Sequence, residues 1–124
     1  MYKNPPYPVF YDVVAHSLAL VPMLASPLYY ASKFSSTVYS SLITGVPMIA
    51  DDRFLDAYTM IDRAAVYPRA DGEDEVAVMF RVAAQDARET WRARRAVSDL
   101  RERLNRRAAG LLRGWLDEKG AAKE

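Results

Sequence analysis

The chain has 124 residues, 51% hydrophobic by type and 27% charged, with a formal net charge of +1 and no cysteine. That length allows one domain with a real core. The charge balance gives no overall pull toward nucleic acid or an anionic membrane, and the missing thiols exclude disulfides, thiolate catalysis and cysteine-based zinc sites.

Residues 1–9 are proline-rich and predict an extended entry segment, unlike the apolar core of a secretion signal. A short helix is expected over Phe10–His16, then a buried strand over Leu18–Pro22. The apolar run Val13–Leu24 is too short to span a membrane and is interrupted by His16 and Pro22, so no transmembrane segment is expected, and a cytoplasmic location is. Ala25–Ser32 predicts a loop carrying the Tyr29–Tyr30 pair.

Ser35 or Ser36 suits an N-cap for the next helix, whose buried side is Val38, Leu42 and Ile43, and Gly45 stands where such a helix should stop. Val46–Ala50 predicts a second strand, Asp51–Asp52 a polar break, Arg53–Asp62 a further helix and Ala64–Pro68 a third strand. Ala70–Asp74 is a turn and helix entry. From Glu75 to Asp117 no proline occurs, and Val97, Leu100, Leu104, Ala108, Leu111 and Trp115 form an apolar stripe at helical spacing. A break at Gln85–Glu89 splits this span into a helix pair, Gly110 and Gly114 weaken its end, and residues 117–124 are expected to fray.

Strands alternating with helices imply parallel strands joined by right-handed crossovers. The expected fold is therefore α/β: a small Rossmann-like parallel sheet with flanking helices and a long C-terminal helix or helix pair. Ligands of such sheets bind beyond the carboxyl ends of the strands, where the Tyr29–Thr37 loop and Asp51–Asp52 should both lie.

Leu18–Pro22, Ser36–Thr44 and the element Gly45-Val46-Pro47-Met48-Ile49-Ala50 together resemble the C-terminal, donor-binding domain of GT-B glycosyltransferases over roughly residues 10–116. The resemblance implies a transferase whose loop and helix start, Lys33, Ser35, Ser36 and Thr37, hold the diphosphate of a nucleotide sugar, with no other cofactor. Ser32 and Ser40 stand where many retaining members carry glutamates, so a divergent branch is implied that uses Lys33 and hydroxyls instead. The acceptor-binding N-terminal domain of that family has no counterpart here. The resemblance thus implies a fragment or half-enzyme, inactive without an acceptor-binding partner.

Each candidate also has a plainer reading. Lys33 and Ser35–Thr37 serve equally as an N-cap with a flanking surface lysine. Asp51 is a sugar contact or the cap of the Phe54 helix, and Asp52 faces the opposite way on an extended chain, so the pair does not naturally share a metal. His16 has no orienting partner and suits a partly buried structural role, while Tyr29 and Tyr30 stack on a base or simply pack. Arg92 through Arg113 surround their helix without interleaved aromatics, which suits a solvated face rather than nucleic acid, and Trp91 and Trp115 read as packing residues. No phosphate-loop, GxGxxG, HExxH or EF-hand pattern occurs, and no catalytic residue stands out. The competing function is a non-catalytic interaction module that docks through its long C-terminal amphipathic helix.

Overall fold

The structure, a computed structural model, describes residues 4–121. Residues 1–3 of the expected entry segment and 122–124 of the expected tail lie outside the described residues. Helix α1 spans Tyr7–Ala15 and so starts before the expected Phe10. Proline is tolerated in a first helical turn, where its missing N–H has no intrahelical acceptor anyway, so Pro8 does not delay the start.

The expected strand Leu18–Pro22 contracts to a single parallel bridge between Leu20 and Met48. Leu20 N–H donates to the Pro47 carbonyl at 3.0 Å, and Ile49 N–H donates to the Leu20 carbonyl at 2.8 Å. Pro22 has no N–H with which to extend the ladder.

Helix α2 covers Ser36–Thr44 and ends at Gly45, whose φ of 73° is left-handed and whose N–H closes on the Ser41 carbonyl at 2.8 Å. Strand β1 is Met48–Ala50, shorter than the expected Val46–Ala50 because Pro47 cannot donate. Helix α3 spans Asp52–Ala57 rather than reaching Asp62. Tyr58 leaves the helical conformation and commits its hydroxyl elsewhere. Ala64 and Ala65 belong to a 3-10 turn, Arg63–Ala65, closed by Ala65 N–H on the Asp62 carbonyl at 2.9 Å, so strand β2 is only Val66–Pro68. It runs parallel to β1, with Met48 opposite Val66, Ile49 opposite Tyr67 and Ala50 opposite Pro68.

Helix α4 spans Glu75–Ala83 with Asp74 as its N-cap. Helix α5 spans Ala87–Ala121, and Asp86 accepts the Glu89 N–H at 2.8 Å, so the break falls in the expected window. The helix continues past Asp117.

The period-2 alternation of β1 and β2 feeds two cores. Met48, Ala50 and Val66 pack with Val38 of α2, Phe54 of α3, and Val97 and Leu100 of α5. Ile49 and Tyr67 point the other way, onto Val78 and Val82 of α4 and the half-buried Ala93 of α5. The result is a mixed α/β unit, mostly helical, with a two-stranded parallel sheet and a long C-terminal helix. No helix among the described residues is long and apolar enough to cross a membrane.

Several sequence expectations are corrected here. Trp91 and Trp115 are 62% and 57% exposed, because valine, alanine and leucine already fill the inward face of α5. His16 is exposed rather than half-buried, with its Nδ1 2.7 Å from the Asp12 carbonyl at the end of α1. Ile43 is exposed while Val38 is buried. The arginines of α5 are not uniformly solvated: Arg94 is part-buried and donates to the Ala15 and Ser17 carbonyls at 3.1 and 2.7 Å, tying α5 to the end of α1.

The Tyr67 hydroxyl is buried and has no hydrogen-bond partner among the described residues. Burial pushes its pKa up, offset in part by the nearby Arg94 charge and by the adjacent Thr90 side chain, which stands outside hydrogen-bond geometry. An unsatisfied buried hydroxyl costs about 1–3 kcal/mol. Tyr67→Phe should therefore leave stability unchanged or raise it by up to about that amount in urea unfolding. A loss above about 1 kcal/mol would mean that the hydroxyl is bonded in solution.

Candidate functional site

The carboxyl ends of the three parallel segments open on one cleft of about 610 Å³. The segment after Leu20 contributes Val21–Leu24, the end of β1 contributes Ala50 and Asp51, and Arg69 follows β2. Tyr30 comes from a 3-10 turn, Pro27–Tyr30, in the loop before α2. The loop and the end of β1 thus share one sheet edge, as the alternation of elements predicts.

Arg69 organises the charged end of this cleft. Its N–H extends the ladder to the Ala50 carbonyl at 2.9 Å. Its guanidinium reaches Asp51 at 2.6 Å and Glu75 at 2.8 Å. Asp51 also accepts the Phe54 N–H at 2.8 Å, so one carboxylate caps α3 and anchors β2. Burial alone would raise the pKa of Asp51, but the Phe54 N–H and the Arg69 guanidinium outweigh it, and the carboxyl sits below its ordinary 3.8. One cation between two carboxylates leaves this end of the cleft net negative, a poor place for a phosphate. The rest of the wall is largely apolar, from Val21, Leu24, Ile49, Phe54 and Met79, and suits a flat uncharged group. Tyr30 stands over it with its ring covered by Arg53 at 4.1 Å.

None of the residues expected to hold a diphosphate lines this cleft. Lys33 lines a separate depression of about 250 Å³ with Tyr29, Tyr30, Ser32, Phe34 and Tyr58. Its ammonium lies 5.9 Å from the Tyr29 ring centroid. Ser35 is buried; its hydroxyl accepts the Thr37 N–H at 3.3 Å and its own N–H donates to the Tyr58 hydroxyl at 3.1 Å. That hydroxyl donates to the Tyr29 carbonyl at 2.9 Å, with the Lys33 carbonyl at a longer 3.3 Å, so the residue that ends α3 holds the loop before α2 in shape. Val38 N–H is taken by the Ser35 carbonyl at 3.1 Å. The Lys33 ammonium, the Ser36 N–H, which makes no hydrogen bond among the described residues, and the side chains of Ser36 and Thr37 are what the helix start still offers an anion.

Asp52 does not converge with Asp51: it pairs with Arg63. Among the described residues no three of His, Asp and Glu are grouped as metal ligands. Arg69 and Glu75 escaped the sequence reading. The usable signal was an arginine immediately after a strand, at the edge where such folds bind ligands. Compared with known protein families, curated proteins and solved structures, the chain matches none.

Asp51→Asn keeps an N-cap oxygen but removes the charge facing Arg69. Because the folded carboxyl titrates below 3.8, its stabilisation is complete above that pH and is lost as pH falls through the folded value. The variant should be less stable than wild type by about 1–3 kcal/mol at neutral pH, with the difference closing below that pH in urea titrations. A difference unchanged down to about pH 2 would assign it to something other than the ion pair.

Proposed function

We propose that this chain is the nucleotide-sugar donor-binding half of a GT-B-like glycosyltransferase, a small Rossmann-like unit that binds its donor and needs an acceptor-binding domain for transfer. One observation carries the reading: three parallel segments end on a single cleft, and the loop leading to the N-terminus of α2 forms part of its wall. The apolar wall with Tyr30 suits the base or sugar, and the Lys33 ammonium with the Ser36 and Thr37 hydroxyls suits the diphosphate. Ser35 acts one step back, holding the helix start in place through Thr37 and Tyr58. Asp51 keeps acceptor capacity on both oxygens for a sugar hydroxyl, although each already takes one hydrogen bond.

The chemistry asked of these groups is charge neutralisation on a leaving diphosphate, and the second substrate is the task of an acceptor-binding domain. Calorimetric titration with UDP, GDP and ADP tests the binding step. At least one should bind with a Kd between about 1 µM and 1 mM, and Lys33→Ala should weaken it about tenfold, a loss of about 1.4 kcal/mol. Lys33 is exposed and makes no ion pair among the described residues, so the variant should fold normally. No binding by any of the three diphosphates at millimolar concentration would refute the proposal.

A further inference from the structure

The second half of α5 lies apart from the cleft and from the Lys33 depression. From residue 105 to residue 119 every side chain is exposed, among them Leu111, Leu112, Trp115 and Leu116 at 57–67%. This span is about 22 Å of helix at 1.5 Å per residue. Projected down the helix axis, Leu104, Leu111 and Trp115 fall on one line, Leu112 lies on one flank, and Arg107 and Glu118 lie on the other.

Three observations specify what covers this face. First, Arg106, Arg107, Arg113, Asp117 and Glu118 form no ion pair among the described residues. On one flank of the span Arg107 stands near the start and Glu118 near the end, while Arg106, Arg113, Asp117 and Lys119 lie off that flank. A helix with this polarity is complementary to itself when reversed. Second, Gly110 and Gly114 sit inside the helix, where each costs about 1 kcal/mol relative to alanine. A Cβ on either would meet nothing within 4 Å, so the body of the chain does not require them. Gly114 lies on the flank of Arg107 and Glu118, where its missing side chain lets another helix come close; Gly110 lies on the outer side of the helix. Third, in an antiparallel two-fold pair like flanks face each other, so Arg107 meets Glu118 of the second copy. In that register Leu111 stands level with Gly114 of the second copy, large against small. The same register lays residues 106–119 on their own copies and leaves both globular bodies outside the contact.

We propose that two copies of this chain associate through the free half of α5 as an antiparallel helix pair, with Arg107 opposite Glu118 at both ends and Leu112 beside the two-fold axis. The contact is small beside a standard interface of about 1,600 Å², so association falls in the micromolar range. Sedimentation of the full chain from about 1 to about 300 µM tests it. The mass should rise with concentration from 14.0 kDa toward twice that value. Glu118→Arg and Arg107→Glu should each weaken the dimer about tenfold or more, and combining them should restore it to within about threefold. Both positions are exposed, and circular dichroism checks that the helix persists. Gly114→Leu should raise helix content yet weaken the dimer, which a purely local role for the glycine would not do. A monomer throughout, a dimer indifferent to the single reversals, or one not restored by the double reversal would overturn the proposal. So would a monomer that instead sediments with anionic lipid vesicles, which would make a membrane surface the cover.

Discussion

Strand β1 is the constraint from which the rest of the fold follows. Its three residues are all buried, and it alone is hydrogen-bonded on both sides, to Leu20 and to β2. A strand in that position must be covered on both faces, and a sheet this short leaves no room for separate layers of long helices. The chain answers with α2, α3 and part of α5 on one face, and α4 with the start of α5 on the other. Among the described residues α5 is the only helix that contributes to both cores, through Ala93 on one side and Val97 and Leu100 on the other. The cleft is a by-product of this arrangement. Where three parallel segments stop together, the crossovers diverge, and the space between them opens beside Arg69.

Charge is used internally more than the sequence suggests. The acidic stretch Asp51–Glu75 and the arginines that accompany and follow it form an asymmetry that could have marked a partner surface. In the fold much of it closes on itself. Arg63 takes Asp52, Arg69 takes Asp51 and Glu75, Arg81 takes Glu73, and Arg103 takes Asp62. Asp52–Arg63 and Asp62–Arg103 are well exposed and contribute little to stability singly. Asp51–Arg69 differs, since the two side chains are only 21% and 28% exposed and the carboxylate is also a helix cap. It binds the end of β1 to the end of β2 at the mouth of the cleft.

What could be read from the residues was the local punctuation. Ser35, Asp51 and Asp74 each cap a helix through a side-chain oxygen, and Gly45 adopts the left-handed conformation that its position after Thr44 required. These are interactions within a few residues, so spacing and residue type suffice to find them. Strand length was not legible in the same way. Leu18–Pro22 and Ala64–Pro68 have the composition of strands, yet ladder extent depends on which N–H groups find an acceptor on a distant segment, and Pro22, Pro47 and the Asp62 carbonyl decide that. Of the candidate site, the shared edge was legible but its division was not. Lys33 lines a separate depression rather than the cleft, and the Tyr58 hydroxyl consumes the Ser35 N–H across 23 residues of sequence.

The apolar stripe of α5 was read correctly as a stripe and incorrectly as a core. Val97 and Leu100 are buried, Leu104 is half-buried, and from Ala108 onward the same periodicity continues into open solvent. Periodicity reports that a face is apolar and does not report how far the body of the protein extends beneath it. An isolated helix of this length is marginal in water, so the free half is held helical chiefly by continuity with the packed half before it. Two internal glycines make it weaker still. A free segment under no demand for contact would lose little by becoming polar, whereas this one retains leucines and tryptophan on a single side. The exposed stripe is therefore the strongest physical indication in the molecule that its surface is completed by something outside the single chain.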